Sequence, residues 1–178
     1  IQSLQYVKYR KIYKKYIIEG KRITESALNQ NIDIGPVFCT NSFFKENKTW
    51  LQKIFNKGFL VETIDEKTLV KMSGTKSPQG ILTICDIPKN NPPNLTSSKW
   101  IYLDKISDPG NMGTLIRSCA WFGIKNIALS PQCVDPFNPK TVRAAMGAHF
   151  LVTIQKGIDL SIFKETHKII AANLGGLS

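Results

Sequence analysis

The second half of the sequence repeats one pattern, in which an apolar strand-like segment is followed by an amphipathic helical segment. The strand-like segments are WIYLDKI, NIALS, LVTIQ and KIIAANLGG, and the helical segments between them are NMGTLIRSCAWFG, PKTVRAAMGAHF and DLSIFKETH. Alternation at this spacing predicts right-handed crossovers and a parallel sheet, whose functional groups gather at the carboxyl ends of the strands. Because the series is short for a doubly wound sheet, we expect this domain to be incomplete.

The first half alternates in the same way between Lys8 and Cys85. Its strand-like segments are KYIIEG, PVFCT, FLVETI and GILTICDI, and its helical segments are KRITESALNQN, KTWLQKIFNKG and DEKTLVKMSG. This pattern predicts a small α/β domain with helices on a mostly parallel sheet. A stretch rich in Pro, Asn and Ser, IPKNNPPNLTSSKW, separates the two series. We therefore expect an α/β substrate-binding domain at residues 1–87, a linker at 88–98 and a second α/β domain at 99–178.

The composition is that of a globular protein. Hydrophobic residues make up 42% of the chain, and no apolar run reaches the roughly 18 residues of a membrane span, so we expect a soluble protein. The chain starts with Ile1 and shows no signal peptide, which predicts that it begins inside a longer or trimmed product. The four cysteines lie far apart and there are two histidines, so we expect free thiols in a reducing, cytoplasmic compartment and no metal centre.

The positive charge of the chain is concentrated at its start. The net charge is +11, and the segment from Ile1 to Arg22 holds seven basic residues against the single acid Glu19. Tyrosines are interleaved with these charges, an arrangement that suits phosphate contacts and stacking on bases. Two interpretations remain open, a surface for a polyanion or a solvated basic helix whose tyrosines pack on the core. A membrane-surface helix fits less well, because bulky Leu or Trp anchors are lacking on the apolar face.

The stretch DPGNMGTLIRSCAWFG combines a turn with the start of a helix. Asn111 is placed as the N-cap of a helix over Met112–Phe122. Arg117 stands among apolar neighbours, so its guanidinium must reach past them to solvent or meet a partner such as Asp108 or Asp104. Simple capping by Asn111 and an ion pair of Arg117 are thus structural alternatives to a functional role. The glycine pattern of a dinucleotide-binding loop and the Gly-Lys-Ser/Thr of a phosphate loop are both missing from this stretch.

The same stretch resembles the first motif of the SpoU (TrmH-type) RNA 2′-O-ribose methyltransferases of the SPOUT superfamily. In that motif Asn-x-Gly is followed by Arg and by a small-aromatic-Gly ending. The matching positions are Asn111, Gly113, Arg117, Ala120, Phe122 and Gly123. DPFNPKTVRAAMGAHFLVTI is similar to the next segment of the family. YIIEGKRITESAL and SPQGILTI are similar to the ribosomal-protein-like domain that precedes the catalytic domain in many members, so the resemblance covers almost the whole chain.

The resemblance implies an RNA methyltransferase that uses S-adenosylmethionine, with a second domain of the trefoil-knot type that is incomplete here. It implies that Arg117 orients or deprotonates the ribose 2′-hydroxyl and contacts the adjacent phosphate. Asn111 would position the arginine or the ribose. Because the pKa of a guanidinium lies above about 12, stabilising the developing alkoxide is the easier role for Arg117.

Two further motifs of the family, a Gly-x-Glu-Gly loop and a Ser-Leu-Asn-x-Ser segment, are not found before Ser178. The start of the cofactor crevice would fall at Asn173, Leu174 and Gly175. The resemblance therefore implies weak or no binding of S-adenosylmethionine by this chain alone. It makes a homodimer an expectation for the full-length protein only.

These observations predict a methyltransferase that acts on the ribose 2′-hydroxyl of rRNA or tRNA. The alternative, from a different class, is a non-catalytic RNA-binding protein of the same architecture. For both functions we expect RNA to contact six basic residues: Lys11, Lys14, Lys15, Lys21, Arg22 and Arg143.

Overall fold

The computed structural model describes residues 1–97 and 99–172, which form two sheets with helices packed against them. The strands of the N-terminal sheet are β1 (Lys15–Glu19), β2 (Ile34–Thr40), β3 (Val61–Ile64) and β4 (Ile81–Asp86). The helices of this half are a 3-10 helix (Gln2–Gln5), α1 (Val7–Tyr13), α2 (Lys21–Asn29), α3 (Asn41–Glu46), α4 (Lys48–Asn56) and α5 (Glu66–Ser73).

The N-terminal sheet is mixed, and the prediction of a mostly parallel sheet is wrong. Its strand order is β1-β4-β2-β3, and β4 runs antiparallel to both of its neighbours, while β2 and β3 are parallel. The alternation along the sequence predicts the order of strands and helices in the chain. It does not predict which strands are neighbours in the sheet. Here β4 separates β1 from β2, so the helical connection between them does not produce an adjacent parallel pair.

Helices cover both faces of this sheet. Its inner strand β4 is therefore buried over almost its whole length. On one face Ile81 and Cys85 pack with Leu51 and Ile54 of α4. On the other face Leu82 and Ile84 of β4 pack with side chains of α5 and the N-terminal 3-10 helix: Leu69, Met72 and Leu4. The period-two alternation of a strand thus builds two apolar clusters.

The C-terminal sheet is parallel, as the alternation predicts. Its strands are β5 (Ile101–Leu103), β6 (Asn126–Leu129) and β7 (Thr153–Lys156), in the order β5-β6-β7. Its helices are α6 (Pro109–Trp121), α7 (Pro139–Ala145) and 3-10 helices at Ala148–Phe150 and Leu160–Phe163.

The end of the described chain differs from the prediction. DLSIFKETH forms only the short 3-10 helix at Leu160–Phe163, which Asp159 caps by accepting the Ser161 backbone N–H at 2.8 Å. Residues 168–172, predicted as the start of a strand, adopt neither helix nor strand. A strand needs a neighbour for its backbone hydrogen bonds, and this run pairs with none of the described strands. The rest of that predicted strand lies outside the described residues.

The two halves share a packed interface. Tyr16 of β1 lies 4.9 Å, between ring centroids, from Phe137, which precedes α7, and Phe137 lies 5.5 Å from His149. The segment expected to be a linker contacts the edge strand β7 of the second sheet. The Asn90 side chain accepts the backbone N–H of Lys156 at 2.9 Å and donates to its carbonyl at 3.2 Å. The linker is therefore held against the edge of β7.

The thiols and histidines of the described residues take no part in a metal cluster, and no described helix is long and apolar enough to cross a membrane. Cys39, Cys85 and Cys119 are buried and Cys133 is partly exposed. Burial raises the pKa of Cys39 to about 11 and that of Cys85 to about 12. These two thiols are protonated at neutral pH, which makes them core residues rather than nucleophiles.

Gly113 allows α6 and α7 to approach closely. A Cβ atom built at this position would lie 2.5 Å from the Thr141 carbonyl oxygen and 2.5 Å from the Ala144 Cβ. The carbonyl oxygen belongs to the backbone of α7, so a side-chain rotation does not remove that clash. The close packing of these two helices therefore requires a glycine at position 113.

We expect Gly113→Ala to lower the free energy of unfolding by about 1–3 kcal/mol, because overpacking must push α6 away from α7. In an ordinary helix interior the same change stabilises by roughly 0.5–1 kcal/mol, so the sign of the effect is diagnostic. Urea denaturation measures it, with Ser118→Ala, an exposed position of the same helix, as the matched control. A stabilised Gly113→Ala variant would refute the close packing.

His149 is a buried, neutral histidine. Its Nε2–H donates to the Pro136 carbonyl at 2.8 Å, and its Nδ1 is buried without a partner among the described residues. Burial lowers the pKa of His149 from 6.5 to about 4, although the Pro136 carbonyl acts in the opposite direction. Between these values the unfolded chain binds a proton that the folded chain does not.

This difference predicts that His149 costs the protein about 3 kcal/mol of stability as the pH falls from 7 to 4. Its contribution is fully favourable above pH 6.5 and is lost as the pH falls through the window between the two pKa values. The measurement is the free energy of unfolding against pH for the wild type and His149→Gln, whose amide can still donate to Pro136. The variant should have the shallower slope, and parallel curves would contradict the buried neutral state.

Candidate functional site

The motif helix α6 begins earlier than the sequence predicts, and Asn111 is not its cap. The helix starts at Pro109, and the Asp108 carboxylate accepts the backbone N–H of Asn111 at 2.7 Å. Proline is favoured at the first helical position and aspartate at the cap, which explains the earlier start. This hydrogen bond, with help from Lys140, holds the pKa of Asp108 below its usual value. Asn111 therefore lies exposed in the first helical turn, where its amide is not used for capping.

Arg117 reaches the surface rather than an internal acid. Its Nη1 lies 3.2 Å from the sulfur of Met146, and the residue is exposed. Asp108, one of the two acids considered as its partner, instead lies 3.6 Å from the Lys140 Nζ. No ion pair of Arg117 occurs within residues 1–97 and 99–172. The Arg117 side chain thus extends past its apolar neighbours, so that its guanidinium reaches the surface.

The helix geometry separates the two predicted catalytic residues. Asn111 lies at the end of α6 that follows β5, at the carboxyl edge of the parallel sheet. Arg117 lies six positions further, which is about 9 Å along the axis and about 120° around it. Asn111 therefore lies at the crevice predicted at the strand ends. Arg117 borders a different depression next to Met146.

Met146 stands at the centre of a groove between the two domains. It is the C-cap of α7, has a left-handed backbone with φ of 50°, and is 60% exposed. Met146 lines a cavity of about 550 Å³ that includes Lys21, Arg22 and Arg143. It also lines a second cavity of about 400 Å³ that includes Arg117 and Trp121. We name this depression the Met146 groove, defined by these residues: Lys21, Arg22, Arg117, Trp121, Arg143 and Met146.

The Met146 groove is positively charged. Its acid, Glu19, is 6% exposed in its side chain and accepts hydrogen bonds from the Ser73 hydroxyl at 2.7 Å and the Gln79 backbone N–H at 3.0 Å. The Arg143 guanidinium lies 4.0 Å from this carboxylate, the outer limit of an ion pair. Four cations thus line the groove against one buried carboxylate, a distribution that attracts polyanions. The Nζ of Lys21 already donates to the Asn47 side-chain oxygen at 2.9 Å and lies 5.3 Å from the Trp50 ring centroid, so the three arginines hold the charge that is open to a ligand.

Gly147 allows the turn after α7 to approach the N-terminal domain closely. Its φ of +90° is a left-handed conformation that glycine adopts without strain. A Cβ atom here would lie 3.2 Å from the hydroxyl oxygen of Ser26 on α2. The turn after α7 therefore comes close to the N-terminal domain, which brings the cations of α2 next to those of α6 and α7.

The structure divides the predicted RNA-binding residues between two places. Lys21, Arg22 and Arg143 line the Met146 groove with Arg117. Lys11 and Lys14 line a separate cavity, described below, and Lys15 is paired with Asp86. The positions predicted for the cofactor are Asn173, Leu174 and Gly175, and they lie outside the described residues.

Sequence reasoning missed two members of the groove. Trp121 is 86% exposed at the end of α6, and the adjacent Phe122 is 75% exposed. The sequence pattern predicts an apolar stripe of Leu115, Cys119 and Phe122 on this helix, and the prediction is wrong for Phe122, which lies beyond the last helical residue and is exposed. Met146 was equally hidden, since its prominence comes from the left-handed cap of α7.

Comparison with protein families and with known proteins matches both halves of the chain. Residues 1–83 match the MRM3-like substrate binding domain, and residues 98–174 match the SpoU rRNA Methylase family. The chain is 29% identical over 139 residues to the 23S rRNA (guanosine(2553)-2′-O)-methyltransferase RlmP of Bacillus subtilis, covering 78% of this chain and 53% of that protein. It is 31% identical over 170 residues to rRNA methyltransferase 3, mitochondrial, of Xenopus laevis, covering 87% and 38%.

A solved structure has the same fold. The AdoMet-bound rRNA methyltransferase from Sinorhizobium meliloti superimposes with a TM-score of 0.73 at 26% identity, over 87% of this chain and 59% of that one. The chain thus spans between about two fifths and three fifths of the length of these three proteins. The two domain matches and the shared fold agree with each other, and the chain belongs to the SpoU (TrmH-type) rRNA methylase family, with an MRM3-like substrate-binding domain at its N-terminus.

Proposed function

We propose that the protein represented by this chain transfers a methyl group from S-adenosylmethionine to a ribose 2′-hydroxyl of rRNA or tRNA. The observation that carries the proposal is the Met146 groove, in which Arg117 of the family motif lies beside three other cations. Family membership supports the reaction type. Of these two substrates rRNA has the stronger support, because the relatives described above are named as rRNA methyltransferases.

In this proposal the groove holds the RNA and Arg117 acts at the reacting ribose. Arg22 and Arg143 would bind phosphates around the target nucleotide, which would fix the ribose in place, and Lys21 adds positive charge beside them. A protonated guanidinium next to the 2′-hydroxyl stabilises the negative charge that develops on the oxygen as its proton leaves. The exposed indole of Trp121 could stack on a base next to the target.

The Met146 groove does not by itself fit S-adenosylmethionine. The methyl-bearing sulfur of this donor is a cation, and the Met146 groove presents four cations and a carboxylate that other groups already occupy. Like charges at close range disfavour binding. We therefore expect calorimetry to detect weak or no binding of S-adenosylmethionine to residues 1–178, and micromolar binding would refute this expectation.

The test of the proposed function is methyl transfer by a protein that contains this chain and has the full length of the relatives described above, which we call the longer protein. Labelled S-adenosylmethionine is incubated with the protein and with rRNA that lacks the modification, and the RNA is then hydrolysed with alkali. A methylated 2′-hydroxyl blocks cleavage at its nucleotide, so the label should appear in alkali-resistant dinucleotides. RNA binding without any label transfer would favour the alternative, a non-catalytic RNA-binding protein.

We also propose that the longer protein forms a homodimer, which sedimentation tests. We further propose that it acts in the cytoplasm, which cell fractionation tests.

A further inference from the structure

A second basic cavity lies at the opposite end of the domain interface from the Met146 groove. It has a volume of about 470 Å³ and lies between α1, the linker and the end of β7. Four lysines line it, two from the N-terminal segment, one from the linker and one from β7. We name it the Lys156 cavity, defined by these lysines: Lys11, Lys14, Lys89 and Lys156.

The acids of the Lys156 cavity are already paired. Asp135 accepts two contacts from the Arg10 guanidinium, at 2.8 Å from Nε and 2.7 Å from Nη2. Asp86 is paired with Lys15. None of the ion pairs within the described residues involves the four lysines of the cavity. The cavity therefore carries an excess of about four positive charges that an anion can neutralise.

The fold holds these lysines together. Lys14 ends α1 in a left-handed conformation with φ of 53°, and its carbonyl accepts the Ile87 backbone N–H at 2.7 Å. The backbone of Lys156 is bound on both sides by the Asn90 side chain, which fixes the linker residue Lys89 nearby. The Nζ of Lys156 lies 5.5 Å from the ring centroid of Phe137. Burial lowers the pKa of Lys156, and the nearby cations add to this effect while Asp135 opposes it.

The position of the cavity also suits a ligand. β7 ends at Lys156, so the cavity lies at the carboxyl edge of the parallel sheet, the edge at which such sheets bind ligands. An adjoining cavity of about 340 Å³ continues along the loop after β6, from Ser130 to Pro136, and shares Lys11 and Lys156. The anion site is therefore part of a longer depression.

The two basic sites lie at opposite ends of β1. Lys14 and Lys15 stand at one end of this strand, and Glu19, which borders the Met146 groove, ends the other. At about 3.3 Å per residue, the Cα atoms of Lys15 and Glu19 are separated by about 13 Å. One phosphate group does not reach across this distance, whereas a polynucleotide does.

We propose that the Lys156 cavity binds a phosphodiester segment of the RNA whose target ribose lies in the Met146 groove. This inference rests on the proposed function in taking RNA as the substrate. The two sites would hold the RNA at two points along the domain interface, so that affinity and position come partly from a site that takes no part in the chemistry. Lys89 and Lys156 would be RNA contacts in addition to the six expected from the sequence.

The test is the salt dependence of RNA binding by the 178-residue chain, measured with a fluorescently labelled RNA hairpin. The double variant Lys89→Gln/Lys156→Gln should bind more weakly, and its slope of log K against log salt should be smaller by about 1.4–1.8, since each phosphate contact contributes about 0.7–0.9. The matched control, Lys57→Gln/Lys67→Gln, removes the same charge from exposed lysines outside this cavity and should change the slope by less than half as much. Thermal melting establishes that each variant is folded.

If Lys156→Gln does not fold, Lys11→Gln/Lys89→Gln provides the same test, because both of its positions are exposed. An unchanged slope in a folded variant overturns the inference. The inference is also overturned if the cavity binds free phosphate but not RNA. In that case inorganic phosphate raises the melting temperature of the wild type but not of the variant, while both proteins bind the RNA equally well. The experiment measures binding, not methyl transfer. A reduced slope together with an inactive longer protein would therefore support this site and reject the proposed function.

Discussion

Arg10→Met is expected to lower the free energy of unfolding by about 3–5 kcal/mol, the largest stability effect predicted for this chain. Arg10 is 2% exposed and donates to the Asp135 carboxylate and to the carbonyl oxygens of Leu4 and Gln5, the last two at 2.8 Å each. Removing the guanidinium leaves a carboxylate that is only 17% exposed without its counter-ion. It also leaves two carbonyl groups without their donor, and both losses act at the interface between the domains.

Two further variants separate the ion pair from general effects of charge. Lys8→Met removes an exposed cation from the same helix and should change stability by less than about 0.5 kcal/mol. Arg10→Met/Asp135→Leu removes both partners and should recover a large part of the loss, because no buried charge is then unpaired. Chemical denaturation measures all of these variants. Equal losses in Arg10→Met and Lys8→Met would contradict a structural role for the buried ion pair.

The sequence predicted the pairing of β5, β6 and β7 correctly because a helix joins each of these strands to the next. In that arrangement the alternation of β5, α6 and β6 leaves little freedom in the pairing. The N-terminal sheet was harder, since β4 enters between β1 and β2 and the connections before it do not reveal this. Local pattern therefore predicted most elements in both halves, apart from those after β7, whereas strand pairing followed from pattern in one half only.

The candidate site was predictable where it depends on neighbours in sequence. Arg117 stood out as a charge on an apolar helix, and the resemblance gave it a role. The N-cap was misplaced because Asp108 and Asn111 are both good caps, and Pro109 decides between them. The grouping of Arg117 with Arg22 and Arg143 depends on how the two domains pack. No local pattern encodes this packing.

The basic N-terminal segment shows the same limit. Its charge left two interpretations open, a surface for a polyanion or a solvated basic helix, and neither predicts that Arg10 is a buried structural residue or that Lys15 pairs with Asp86. Lys11 and Lys14 instead meet Lys156, which lies more than a hundred residues away in the sequence. The fold thus gives different roles to residues that look equivalent in a list of charges.

Arg117→Ala in the longer protein is expected to lower the rate of methyl transfer by at least about 100-fold, the loss typical when one stabilising donor is removed from a developing oxyanion. Arg117 is exposed, and its polar contact in the structure is with the Met146 sulfur, so the change should leave the fold intact. RNA affinity should stay within several-fold, because Arg22 and Arg143 remain for the proposed phosphate contacts.

Arg117→Lys is the informative companion variant. It keeps the positive charge but loses the planar fork of donors that can contact a hydroxyl and a phosphate together. A rate between those of the wild type and Arg117→Ala is expected. A lysine variant with the full rate would mean that charge alone matters at this position.

The central claim, that Arg117 in the Met146 groove acts on the ribose 2′-hydroxyl, is tested most directly by single-turnover methyl transfer with RNA and S-adenosylmethionine both saturating. The product is identified by mass spectrometry of the nucleosides. The account predicts a 2′-O-methylated nucleoside from the wild-type longer protein and a rate at least about 100-fold lower from Arg117→Ala, with similar RNA affinity. An Arg117→Ala protein that forms the same product at the wild-type rate would contradict it.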